Sequence, residues 1–126
     1  MSGTFLELKE REQVCEKVLG FSRMDDGSRK INYTFWMDPN ELEAFKAGDT
    51  SVLFETPSFI TYEEFGLIVD AMMEKGFEVD AMFDSSDKEW EVCFGKEMGR
   101  EPTWTTHHPN LATASAQAAL ACVEEK

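Results

Sequence analysis

The chain is poor in the residues that staple, switch or catalyse. Its three cysteines, Cys15, Cys93 and Cys122, stand far apart, at spacings that fit neither a metal knuckle nor a redox pair. That argues against a disulfide framework and leads to the expectation of half-buried thiols in a reduced cytosolic setting. Cations are scarce as well: 12 Lys and Arg stand against 25 Asp and Glu, for a net charge of −13. A surface so acidic repels phosphate backbones, which disfavours duplex nucleic acid and anionic membranes as direct partners. No apolar run approaches bilayer-spanning length, and no basic region precedes an apolar core at the N-terminus. The expectation is a cytoplasmic chain with no membrane association. Internal repeats, low-complexity tracts and long linkers are also missing, so residues 1–126 are expected to form a single domain, large enough to bury about two thirds of its unfolded surface.

What is present is a dense set of structural punctuation. The richest stretch runs from Ile60 to Phe77. Thr61 and Glu64 have the spacing of a capping box, Ile60 and Phe65 flank it as a hydrophobic staple, and Gly76 is placed to close the helix with Phe77 folding back on Met72. Phe65, Ile68, Val69, Met72 and Met73 recur at three and four residues and form one apolar stripe. Period two follows at once, with Phe77, Val79, Ala81 and Phe83 on one side. Residues 84–88 are turn chemistry, and Glu89 to Gly95 alternates again, so the two runs read as an antiparallel hairpin. Trp90, Val92 and Phe94 join the apolar side against the helices, leaving Glu78, Asp80, Glu89 and Glu91 on the other. Like charges facing each other across strands cost stability, so that acidic side is expected to meet water or a cationic partner.

Elsewhere, Thr4 and Glu7 repeat the capping-box spacing ahead of a first helix that stops at Gly20, with Phe21 packing back. Asp26-Gly27 marks a turn, and residues 31–36 are β-branched and aromatic enough for a strand with Ile31, Tyr33 and Phe35 on one face. Asp38 and Pro39 begin a short helix that carries Leu42 and Phe45 inward and ends at Gly48; residues 51–55 form a brief strand. Residues 102–106 add an edge strand after Pro102. Asn110 caps a last helix over 111–123, whose six alanines allow close approach, with Leu111, Ala118 and Cys122 on its buried line. The fold class is α+β, a mostly antiparallel sheet packed with helices as an α/β sandwich.

Chemistry-bearing patterns are sparse. His107 and His108 lie beside Trp104, but adjacent histidines in a strand point to opposite faces and do not share a metal, so a surface turn before Pro109 is the favoured reading. Gly95-Lys-Glu-Met-Gly99 lacks the spacing and the Lys-Ser/Thr pair of a phosphate loop. Lys96, Arg100, Trp104 and His107 nevertheless gather cations and an aromatic in one short segment, the combination with which a protein holds a nucleotide without cleaving it. Arg23, Arg29 and Lys30 around Tyr33 and Trp36 form a second such cluster. Unrelated loop charges over core aromatics give the same pattern. The methionines Met72, Met73 and Met82 suit either an adaptable binding surface or gap-filling in the core. Acidic excess has two readings too, solubility or a face made for a basic partner.

Three pieces resemble the phage αβα-sandwich domain family: Val14-Cys-Glu-Lys-Val-Leu-Gly-Phe21, the segment from Pro57 through the capped helix to Trp90-Glu-Val-Cys-Phe94, and Leu111-Ala-Thr-Ala-Ser-Ala-Gln-Ala-Ala-Leu120. Against that pattern, residues 38–55 look like an insertion. The resemblance implies a small phage or prophage accessory protein in the host bacterial cytoplasm, and carries no catalytic residues with it. The expected function is therefore non-enzymatic, without cofactor or metal. The first expectation is a counter-defence protein that inhibits a host protein through Glu78, Asp80, Glu89 and Glu91. The alternative is a sponge that sequesters a nucleotide signal, a cyclic nucleotide or ADP-ribose derivative, through Lys96, Arg100, Trp104 and His107. A homo-oligomer is compatible with both.

Overall fold

The structure, a computed structural model, describes residues 5–24, 34–97 and 99–124. Its fold is α+β, and the described strands divide into two antiparallel three-stranded sheets rather than one. The smaller sheet has the order β1 (Ser22–Arg23), β2 (Phe35–Met37), β3 (Phe54–Glu55); the larger has β4 (Glu78–Asp84), β5 (Glu89–Gly95), β6 (Thr103–His108). Among the described residues four α-helices accompany them: α1 (Leu8–Gln13), which runs on as a π-helical turn over Val14–Val18, α2 (Leu42–Lys46), α3 (Tyr62–Glu74) and α4 (Leu111–Glu124).

Helix α3 starts and stops where its punctuation says. The Thr61 hydroxyl accepts from Glu64 N–H at 3.2 Å, and Glu64 Oε1 accepts from the N–H groups of Ile60 and Thr61 at 2.9 and 3.0 Å. At the other end Gly76 has φ +91°, Gly76 N–H donates to Met73 O, and Phe77 N–H reaches Met72 O, the bond pattern of a Schellman cap. Only Ile68 and Met72 of the apolar stripe are fully buried; Met73 is 58% exposed.

Burial raises the Glu64 carboxyl pKa, but the hydrogen bonds it accepts from Thr61, Ile60 and Phe59 outweigh that and leave it below the usual glutamate value. A carboxylate depressed in the folded state contributes stability above its unfolded pKa and loses it as pH falls through the folded one. Thermal melts from pH 6 down to pH 3 should therefore show a loss of stability that sets in around the ordinary glutamate pKa of about 4.3, grows as pH falls through the lower folded value, and is blunted in Glu64→Gln. An identical pH profile in the variant would remove Glu64 as its source.

The hub of the molecule is α4. It packs on α3, β5, β6 and the π turn, and buries Leu111, Ala112, Thr113, Ala114, Ser115, Ala116, Ala118, Ala119, Leu120 and Cys122, far more than the single line expected of it. Alanine makes this possible, because a helix without bulk lets neighbours close in on all sides. Asn110 Oδ1 accepts from Thr113 N–H at 3.0 Å, its amide donates to Ile60 O, and the Thr113 hydroxyl donates to Phe59 O at 2.8 Å. These bonds tie the start of α4 to the entry of α3 and pin Phe59, a buried non-glycine residue at φ +57°.

Several local expectations change. The box assigned to Thr4 lies outside the described residues, as do Asp26-Gly27, Arg29, Lys30, Ile31 and Tyr33. Glu7 itself stands at the N-cap of α1, its N–H held by Glu10. Over residues 38–55, Asp38 caps a 3₁₀ turn leading into α2 and Gly48 follows at φ +97°, but Leu42 is 40% exposed. A second 3₁₀ turn, Thr50–Val52, replaces most of the strand expected at 51–55. His108 is not in a surface turn: β6 extends through it, opposite Trp90, and buries it, with Nδ1 accepting from Asn110 N–H at 2.9 Å. The turn begins only at Pro109 because the ladder with β5 carries the strand that far.

Candidate functional site

The register of the larger sheet sorts its side chains into two faces. Directly paired residues share a face, and Val79 pairs Phe94, which pairs Trp104, while Val92 pairs Thr106 and Trp90 pairs His108. This is the inner face: Val92 and Phe94 are fully buried, and Thr106 donates its hydroxyl to Ala114 O on α4. The outer face carries Glu78, Asp80, Met82 and Asp84 from β4, Glu89, Glu91 and Cys93 from β5, and Thr103, Thr105 and His107 from β6. The four carboxylates singled out in the sequence thus stand on one face.

Their arrangement is less repulsive than simple alternation implies. Asp80 lies opposite Cys93, Glu91 between Met82 and His107, and only Asp84 and Glu89 set carboxylates directly across from each other. His107 Nε2 meets Glu91 Oε1 at 2.9 Å. Glu89 Oε2 is buried and has no hydrogen-bond partner among the described residues. An open concavity of about 350 Å³ lies over the middle of this face, bordered by Asp80, Glu91, Cys93, Thr105, Arg100 and Glu101.

The four residues expected to hold a nucleotide are separated. His107 and Arg100 belong to the outer face, where Arg100 pairs with Glu97 at 3.6 Å. Trp104 turns inward, edge-on to Phe77 with centroids 6.2 Å apart. Lys96 meets the same Phe77 ring, its ammonium 4.3 Å from the centroid and donating to Lys75 O at 3.2 Å. Of the second cluster, Arg23 lies 5.7 Å from the Trp36 ring and pairs with Glu12.

Lys96 does find cationic company that sequence spacing did not show. Lys17, Lys75 and Lys96 surround Phe77 and Val123 in a cleft of about 330 Å³. Each lysine sits by a helix C-terminus: Lys17 in the last turn of the π segment, Lys75 at the C-cap of α3, and Lys96 on the Lys75 carbonyl. Lysines there offset the partial negative charge of the helix ends. The available signal was Lys17 and Lys75 at the ends of two separate helices, which does not say that those ends converge. Lys17 is also paired with Glu124 at 3.6 Å.

Thiol chemistry is muted at Cys15, which is buried and whose pKa is pushed up to about 12, first by loss of solvation and then by the nearby Glu12 charge. Among the described residues no group of His, Cys, Asp and Glu side chains is arranged to hold a metal ion, and no helix is long and apolar enough to cross a membrane. No protein-family model, curated protein or solved structure matches this chain.

Proposed function

We propose that this chain is a non-enzymatic accessory protein of a phage or prophage, working in counter-defence by binding a basic surface of a host protein and inhibiting it. The observation that supports this is the two-sidedness of the β4–β5–β6 sheet. Its inner face packs against α4 along β5 and β6, while its outer face gathers Glu78, Asp80, Asp84, Glu89 and Glu91, with Arg100 and His107 beside them. Complementary charge of this kind raises association rate and selects partners, and it weakens with salt. The test is retention of host proteins from a bacterial lysate by the immobilised chain and by a variant carrying Glu78→Lys, Asp80→Lys, Glu89→Lys and Glu91→Lys. A partner held at low salt, released by about 0.5 M salt and bound more than about tenfold more weakly by the variant is the expected result. Equal retention by both chains would sink the reading.

The lysine cleft favours a second reading, a sponge for a nucleotide signal such as a cyclic nucleotide or ADP-ribose derivative, held by Lys17, Lys75 and Lys96 beside Phe77. A ligand that binds only the folded state raises its melting temperature. A rise of several degrees with one such nucleotide, abolished by Lys96→Glu and unaffected by the four outer-face reversals, would put this reading in front.

A further inference from the structure

We infer that β4 is a docking strand: its open edge takes up an extended segment of a partner protein in which Lys or Arg alternates with apolar residues. The inference rests on the acidic-face reading above and names the partner's chemistry and mode of contact. Four features of β4 carry it. Among the described residues the strand lies at the end of the sheet order, paired with β5 alone, and its ladder runs from Glu78 to Asp84 without a bulge. It contains no proline or lysine, the usual devices that blunt an edge. Every residue from Asp80 to Asp84 is exposed, including Met82 at 56% and Phe83 at 47%. The distal hairpin therefore overhangs the helical layer: Ala81 and Phe83, placed on the inner face by the register, are not covered as the sequence pattern led one to expect.

The occupant follows from what each face of the edge offers. Asp80 and Asp84 project on one side, exposed, and call for cations at alternate positions of an incoming strand. At the hairpin tip an open hollow of about 310 Å³ borders the outer-face residues Met82, Asp84 and Glu91 together with Phe83 and Ser85. Ala81 and Phe83 project on the other side, with Trp90 edge-on to Phe83 at 5.3 Å. Apolar side chains at the intervening positions of the partner would cover that surface. A second copy of this chain fits poorly. Antiparallel self-pairing centred on Asp80 sets Asp80 against its own copy, centring on Ala81 sets Glu78 against Asp84, and centring on Met82 sets Asp80 against Asp84. Such pairs are destabilising, and the net charge of −13 adds to the repulsion. Backbone bonds supply affinity in this mode, and alternate side chains supply choice of partner.

The probe is the capped heptapeptide Lys-Val-Lys-Val-Lys-Val-Lys, measured by fluorescence anisotropy on the intact chain at low salt. Its controls are a block peptide of the same composition and two N-methylated versions, one methylated on the lysines and one on the valines. Because alternate N–H groups point to the same edge of a strand, one of the two must lose the donors that reach β4. The alternating peptide is expected to bind at least about tenfold more tightly than the block peptide and than one N-methylated version. Binding should fall by about tenfold in Ala81→Lys, which puts a cation on the apolar side of the edge, and persist in Ala47→Lys, the same charge change at the exposed end of α2. If all the basic peptides bind alike and N-methylation has no effect, strand docking is wrong while the acidic-face reading stands. If none binds, both are wrong.

Discussion

Replacing Phe94 by alanine is expected to lower the free energy of unfolding by about 3–5 kcal/mol, the range for deleting a fully buried aromatic side chain. Phe94 is at the centre of the inner face, paired with Val79 on one side and Trp104 on the other, and has no exposed surface. Its neighbours are poorly placed to collapse into the space. The strands are held in register by the ladder, and α4 above them already approaches as closely as alanine side chains permit. With whole-domain stabilities of about 5–15 kcal/mol, the variant loses a large share of its margin, and its melting temperature should drop by about ten degrees or more. Urea titration checks this: the midpoint should fall with the slope unchanged. A loss below about 1 kcal/mol would mean that the packing between β5 and α4 is not the principal core.

The elements that were legible in the sequence are those whose signals are local. Thr61, Glu64, Gly76 and Phe77 define the ends of α3 by bonds that span only a few residues, and the alternation in β4 and β5 sorts carboxylates from aromatics without reference to the rest of the fold. Helix α4 was legible in extent but not in importance. Periodicity reveals a helix with one buried side, and a helix buried nearly all round in alanine, serine and threonine shows little contrast to read. The same limit explains Met73 and Leu42, where spacing marks apolar residues but does not say whether a neighbour arrives to cover them. At the candidate sites, the outer-face carboxylates followed from period two alone. The grouping of Lys96 with Arg100, Trp104 and His107 relied on closeness in sequence, and β6 then turned Trp104 and His107 to opposite faces. The lysine cleft depends on where separate helices end in space, which no local pattern encodes.

Trp36 offers the other large effect, and it bears on how the smaller sheet relates to the rest. The side chain is fully buried and belongs to the same cluster of buried residues as Ile68, Met72, Val92 and Phe94. Its indole N–H donates to the Thr56 hydroxyl at 2.8 Å, with Arg23 over the ring. Trp36→Ala is expected to cost about 3–5 kcal/mol. Trp36→Phe, which keeps most of the volume and removes the hydrogen bond, should cost closer to the roughly 1 kcal/mol of one such bond. How the loss is distributed carries the structural information. If β1, β2 and β3 are integral to the core, hydrogen exchange in Trp36→Ala should quicken in α4 and β5 as much as around residues 35–55, because a global loss lowers protection everywhere that opens only by global unfolding. Faster exchange confined to residues 35–55 would instead define that region as an accessory unit that opens by itself, the behaviour expected of an insertion at 38–55. The contiguity of Trp36 with the buried residues of α3 and β5 leads us to expect the first outcome.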